Sequence, residues 1–169
     1  RSEATVEVHV LDVNDNRPSF ENSSFIGHVS EMASIGSLIL KESESEEFQH
    51  FPLVIKAKDM DSGVNALLSY EILNSEAKMY FAIDESTGAL RTIATLDFET
   101  REKYQFEVRV SDRGAPRLTC DSTTKVVITI DDENDSPPKF SADPQEVVLL
   151  LPTFAGVPVA QLHAVDQDL

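Results

Sequence analysis

An all-β fold, a seven-stranded Greek-key β-sandwich set in a tandem array, is what this 169-residue sequence predicts. Three observations lead there. Several segments alternate apolar and polar residues with period two, turn-forming clusters separate them, and no stretch of ten or more residues shows helical periodicity. A recurrence of landmarks along the chain supplies the tandem element.

In chain order, Thr5-Val-Glu-Val-His-Val10 alternates cleanly and predicts a strand with Val6, Val8 and Val10 on one core. Strands then follow at 25–29, 36–40, 53–57, 67–73, 80–83 and 89–93. Tyr104, Phe106, Val108 and Val110 should face a core shared with Val126, Ile128 and Ile130, leaving Gln105, Glu107 and Arg109 to water. Turns are expected at Asp61-Ser-Gly63, Asp84-Glu-Ser-Thr-Gly88 and Asp112-Arg-Gly-Ala-Pro116, where Gly, Pro and Asp reverse the chain.

Asp12, Phe20 and Gly36 recur at constant spacing as Asp132, Phe140 and Gly156. Ala57-Lys-Asp-Met-Asp61 recurs as Ala164-Val-Asp-Gln-Asp168 at a shorter spacing, so the first copy carries extra residues, assigned to Lys41–Glu47 and Phe48–Pro52. Residues 1–16 then read as the last strand and linker of a preceding copy, 17–136 as one complete copy with its linker, and 137–169 as the start of the next. The Lys41–Glu47 charge run reads as a hydrated insertion.

Lys and Arg number 14 against 30 Asp and Glu, a formal charge of −16, which disfavours nucleic acid and anionic membrane as partners and favours cations. The longest apolar run, Val147–Pro152, is too short to span a bilayer, and no leader pattern opens the chain, which reads as a segment of a longer protein. Cys120 is the only cysteine, so neither a disulfide framework nor a zinc ribbon can be built, and it is given no role. His9, His28, His50 and His163 show no metal-ligand spacing.

The acidic residues carry the chemistry. Asp12-Val-Asn-Asp-Asn16 and Asp132-Glu-Asn-Asp-Ser136 each follow an alternating strand and precede a proline. Carboxylate and amide oxygens gathered at a strand end suit a hard divalent cation, and calcium is the expected ligand. Asp59-Met-Asp61-Ser-Gly-Val-Asn65 is no EF-hand, because its glycine comes one position early and Glu71 overshoots the twelfth place. No catalytic histidine constellation, Gly-Lys phosphate loop or nucleophile elbow is present, and Asp97 with Glu99 makes no supported acid–base pair, so no enzyme is expected.

Five motifs in register, namely Glu31 of Val-Ser-Glu-Met, Asp59 to Asn65, Leu96-Asp-Phe-Glu99, Asp112 of Val-Ser-Asp-Arg-Gly-Ala-Pro, and the two Asp-x-Asn-Asp linkers, resemble the extracellular cadherin repeat over essentially the whole chain. Their wording, with Phe81-Ala-Ile-Asp-Glu-Ser-Thr-Gly88, looks most like the Fat, Dachsous and protocadherin group, and a Fat-like giant cadherin in particular. The resemblance implies an immunoglobulin-like sandwich and three calcium ions at each inter-repeat linker. It implies one ligand set of Asn14, Asp15, the carbonyls of Val13 and Asn16, Asp59, Asp61, Asp112 and the carbonyl of Asn65. It implies a second of Glu31, Asp97, Glu99, Asn134, Asp135, the carbonyls of Glu133 and Ser136, Asp166 and Asp168, with Asp12 and Asp132 as further candidates.

The resemblance also implies the extracellular part of a plasma-membrane protein whose calcium-stiffened linkers serve adhesion to a cadherin on an adjacent cell, homophilic or heterophilic. The alternative is a calcium-binding but non-adhesive spacer of a large signalling receptor. No small-molecule substrate is expected. The sequence contains no tryptophan, so the strand-swapped anchor of an outermost adhesive repeat is missing and an internal repeat is expected. Leu151-Pro152 stands where the first copy has Glu31-Met32, which would weaken the joint that follows. Asn22-Ser-Ser24 is a glycosylation sequon; Asn134-Asp-Ser136 also fits the rule but is set aside, because it is a ligand segment followed by Pro137.

Overall fold

The computed structural model describes residues 3–42, 51–141, 148, 152, 154–156, 158–166 and 168. Most of the expected Lys41–Pro52 insertion, much of the Val147–Pro152 run and Leu151 of the Leu151-Pro152 departure lie outside the described residues. The chain divides into two compact units, Arg1–Asp131 and Asp132–Leu169.

In the first unit the main layer is a five-stranded sheet built from β2 (Ser24–Ser30), β3 (Leu40–Lys41), β5 (Ser69–Ile72), β8 (Lys103–Ser111) and β9 (Thr124–Asp131), in the order β3-β2-β9-β8-β5. Strands β8 and β9 pair antiparallel, and the buried residues alternate as the sequence predicts. Tyr104, Phe106, Val108, Val110, Val126, Ile128 and Ile130 are all buried, while Gln105, Glu107 and Arg109 are exposed. Fully burying such side chains contributes about 1.5–3 kcal/mol each. Phe81 joins them, stacked on Phe106 with ring centroids 5.8 Å apart and edge-on to Tyr104 at 5.1 Å.

One pairing departs from the antiparallel pattern of the other strands. Strands β2 and β9 run parallel over seven residue pairs, from Ser24 beside Lys125 to Ser30 beside Asp131. Both therefore end at the same edge, and Glu31 N donates to the Asp131 carbonyl at 3.2 Å.

The second layer is assembled from short pieces: β1 (Ser19–Phe20) with β4 (Ala57–Lys58), and β6 (Phe81–Ile83) with β7 (Leu90–Thr92). Isolated bridges Val54 to Ala89 and Leu38 to Arg91 link its pieces. Two predicted strands shrink for this reason. Within 36–40, Ser37 and Ile39 bond to Thr92 and Leu90 before Leu40 and Lys41 cross to pair with β2. Within 53–57, Leu53 bonds to Ile39 and Leu90, and Ile55 to Gly88, before the regular pair at Ala57–Lys58. The only helix among the described residues is the four-residue α1 (Ala77–Tyr80).

The strand predicted at Thr5–Val10 does not form. Val6, Val8 and Val10 are 80%, 77% and 91% exposed. A strand needs a neighbour for its N–H and C=O groups and a layer for its apolar face, and among the described residues no strand pairs with this segment. In the second unit, β10 (Lys139–Phe140) pairs with β11 (Ala164–Val165). Phe140 lies opposite Ala164 there, as Phe20 lies opposite Ala57 in the first unit, so the repeat read from sequence recurs in strand register.

The turn between β6 and β7 is organised by one carboxylate. Asp84 Oδ1 accepts from the N–H groups of Ser86 (3.0 Å) and Thr87 (2.8 Å) and from the Thr87 hydroxyl (2.9 Å), and Gly88 closes the turn at φ 73°. A Cβ at Gly88 would stand 2.3 Å from the Ile55 carbonyl oxygen. Gly88→Ala is therefore expected to cost about 2–4 kcal/mol, the left-handed penalty and the overpacking acting together, read as a lower urea midpoint at unchanged slope. The Thr87 N–H, the Thr87 hydroxyl and then the Ser86 N–H hold the Asp84 carboxyl below the ordinary carboxylate range. Its contribution is thus fully present above the unfolded value of about 3.9 and lost as pH falls through the lower native value. Carboxyl-carbon NMR should show that low midpoint, and Asp84→Asn should flatten this part of the acid-unfolding curve.

Candidate metal centre

Nine of the predicted ligand residues come together within the first unit. The Asp12–Asn16 segment lies against two loops, 59–65 and 112–118, and every link between them is made through oxygen-bearing side chains. Asp12 Oδ2 accepts from Ser62 N (3.1 Å) and Asn65 Nδ2 (2.9 Å). Those two contacts, the Asn65 amide first, hold the Asp12 carboxyl below its usual range. Asn16 donates to Asp61 through its backbone N at 3.2 Å and through its side-chain amide, and the same amide reaches Asp15 Oδ1 at 2.8 Å. Asp61 N in turn donates to Asp59 Oδ1 at 2.9 Å, the local turn expected of Asp-x-Asp. Val13 contributes its carbonyl to Asp15 N at 2.9 Å.

Asp112 is fully buried, which a carboxylate tolerates only when its oxygens are occupied. Gly114 N and Leu118 N reach Oδ1, each at 3.0 Å, while Leu118 N and Asn14 Nδ2 reach Oδ2, each at 3.1 Å. Asn14 Nδ2 also donates to the Pro116 carbonyl at 2.6 Å.

Two side-chain oxygens of this network, Asn14 Oδ1 and Asp59 Oδ2, are buried without a hydrogen bond. Burying an acceptor unmatched costs about 1–3 kcal/mol, more when it is charged, so such atoms call for an explanation. Every candidate donor here is a carboxylate, amide or carbonyl oxygen, and no sulfur or imidazole takes part. That is the donor set of a hard divalent cation, and the two buried oxygens are the atoms it would satisfy.

The remaining candidate ligands are described unit by unit. In the first, Glu31 is buried, its Oε2 accepting Phe98 N at 2.7 Å, and a carboxylate oxygen of Glu31 lies within 4.8 Å of one of Glu99. Asp97 caps the adjoining turn through the Thr100 hydroxyl (2.8 Å) and N–H (3.1 Å), which lower its pKa. In the second unit, Ser136 N donates to both oxygens of Asp168 at 3.1 and 3.2 Å, and Asp168 N donates to Asp166 Oδ1 at 3.3 Å. This repeats the Asn16–Asp61–Asp59 arrangement. Asp132 and Asp168 bring carboxylate oxygens within 4.8 Å of each other, and Asp135 N donates to the Glu133 carbonyl at 2.8 Å. Asn134 is exposed.

Sequence reasoning missed Gly114. It reads as turn punctuation, yet its backbone makes no positive-φ turn; a Cβ there would meet Asn14 Nδ2 at 2.2 Å and Asn65 Oδ1 at 2.7 Å. The position is a clearance for two candidate ligands. Its two-residue spacing from Asp112 was the signal available. The carbonyl of Pro116 and the N–H of Ser62 were likewise invisible, since backbone groups carry no sequence signature.

The Cadherin domain family matches residues 40–131. The chain is 43% identical over 164 residues to human Protocadherin Fat 1, covering 97% of this chain and 3% of that protein. It is 42% identical over 161 residues to the Drosophila melanogaster Fat-like cadherin-related tumor suppressor homolog, covering 95% and 3%. The chain thus spans only a small part of these relatives' length. Among solved structures, mouse Cadherin-23 EC22-24 superposes with TM-score 0.73 at 30% identity, over 94% of this chain and 46% of that one. The Protocadherin gammaB7 EC3-6 cis-dimer structure gives 0.75 at 26%, over 99% and 40%.

Gly114→Ala should push Asn14 and Asn65 apart while leaving the sheet intact. The expected result is a cation affinity lowered about tenfold, equivalent to about 1.4 kcal/mol, by calorimetric titration, with the far-ultraviolet dichroism unchanged.

Proposed function

The chain belongs to the cadherin family, with repeats of the Fat type, and on that premise we propose that its acidic groups bind calcium and make it a stiffened segment of an adhesive ectodomain. Cadherin repeats are structural domains of adhesion receptors, not enzymes. The observation that carries the calcium reading is the pair of buried, unmatched oxygens, Asn14 Oδ1 and Asp59 Oδ2, within an all-oxygen network.

Asp12, Asn14, Asp15, Asp59, Asp61 and Asp112, with the carbonyls of Val13, Asn16 and Asn65, are proposed to hold the ion at the first group. Glu31, Asp97 and Glu99, and in the second unit Asp132, Glu133, Asn134, Asp135, Ser136, Asp166 and Asp168, carry the same kinds of oxygen and are proposed ligands as well. Calcium, when bound, supplies a divalent charge that several carboxylates and carbonyls share at once. The residues do the rest. Asn16 and Asp61 already tie the 12–16 segment to the 59–65 loop, and Asn14 and Asp112 tie it to the 112–118 loop. The carboxylates remaining at these contacts repel one another until a cation neutralises them. Pro18 and Pro137 lack the N–H a continuing strand would need, so each segment leans on its neighbouring loops for a defined direction.

Among the described residues no helix is long and apolar enough to cross a membrane. An extracellular position on a membrane-anchored protein, contacting a cadherin on an adjacent cell, is the reading the family supports best.

Calcium should stabilise the chain. At a hundredfold excess over its dissociation constant a single site adds about 2.7 kcal/mol, seen as a rise in melting temperature that chelator reverses. Asp59→Asn should weaken the response, and Asp121→Asn, which loses only the exposed pair with Arg17, should leave it intact. Equal melting in millimolar calcium and in chelator would end the reading.

A further inference from the structure

A groove of about 520 Å³ opens along one edge of the first unit. On one side the Lys41 N–H donates to the Phe51 carbonyl at 2.8 Å; on the other the Glu21 N–H donates to the Lys56 carbonyl at 3.0 Å. Phe25, Phe51, Pro52 and Leu53 give the groove an apolar lining, and Phe51 is 55% exposed. Charged side chains, Glu21, Lys41 and Lys56, share the lining with them. Asn22 also lines it, and Asn22 is the acceptor of the Asn22-Ser-Ser24 sequon, all three of whose residues are exposed.

We propose that Asn22 carries an N-linked glycan and that the first N-acetylglucosamine of that glycan seats in this groove, its C–H face on Phe51 and Pro52. A pyranose has the matching chemistry: one face of C–H groups for the aromatic and proline rings, and a rim of hydroxyls and an acetamido group for Glu21, Lys41 and Lys56. Tethering removes the usual cost of association, because a sugar bonded to a residue of the groove is present at very high effective concentration and needs little intrinsic affinity. The exposed part of Phe51 gains a cover from the chain's own modification.

In the transfer, the Asn22 amide nitrogen forms a bond to the anomeric carbon of an oligosaccharide carried on a polyprenyl diphosphate. The bond from that carbon to the diphosphate breaks, the diphosphate leaves with the electron pair, and the amide gives up one proton. No oxidation or reduction occurs. The proposal rests on the extracellular placement above, since a secretory route supplies this donor, but it is independent of calcium.

The test is the 169-residue chain secreted from glycosylating eukaryotic cells. Mass spectrometry of the peptide containing Asn22 should show the glycan, lost in both Asn22→Gln and Ser24→Ala. Trimming to a single N-acetylglucosamine should preserve a melting gain of about 3 °C over the Asn22→Gln protein, measured in calcium and in chelator alike, and cross-relaxation should link the sugar ring protons to the Phe51 ring. Phe51→Ser, at a surface position, should keep the glycan and lose both the gain and the cross-peaks. A bare Asn22, or a glycan whose melting gain and proton contacts are absent or indifferent to Phe51→Ser, overturns the proposal. Because the chelator arm reads the sugar alone, failure of the calcium reading leaves this result interpretable.

Discussion

The parallel pairing of β2 with β9 is the constraint from which the first unit's layout follows. In an antiparallel ladder neighbouring strands end at opposite edges; here seven parallel pairs send Ser30 and Asp131 out side by side. Glu31 is thereby delivered beside the end of β9, buried and bonded to the Asp131 carbonyl. The loop after β7 brings the Phe98 N–H to the same carboxylate, with Asp97 and Glu99 on either side of it. Residues far apart in the chain meet there because the sheet order sends them there.

The Asp12–Asn16 group is governed by a different economy, that of donors and acceptors. Asp112 is surrounded by N–H groups and can stay buried. Asn14 spends its amide nitrogen on Asp112 and Pro116, and its buried oxygen is left without a hydrogen bond. Asp59 likewise has one oxygen engaged by Asp61 N and one unmatched. Two buried acceptors left over in such an arrangement are what the proposed calcium would engage.

The sandwich was legible wherever a strand is long and buried on one face: β8 and β9 declare themselves by alternation, and their burial follows it. Legibility fails where pairing, not pattern, decides. Residues 36–40 and 53–57 look like strands but spend their hydrogen bonds one at a time while switching partners. Thr5–Val10 has the right pattern and, among the described residues, no strand beside it. The parallel β2–β9 pair left no trace either, since parallel and antiparallel neighbours impose the same period-two alternation. For the acidic groups the side chains were readable because Asp, Asn and Glu announce themselves at turns. The clearance at Gly114 and the backbone donors that hold Asp12 and Asp112 were not, because they are properties of space and main chain.

The two copies of the clasp between linker and loop differ in one respect. Asn16 holds Asp61 through its backbone and its side-chain amide, whereas Ser136 holds Asp168 through its backbone N–H alone. Copies related by a plain repeat in sequence are therefore not mechanically interchangeable. In the tandem array proposed above, the grip at successive seams would then differ by single side-chain exchanges.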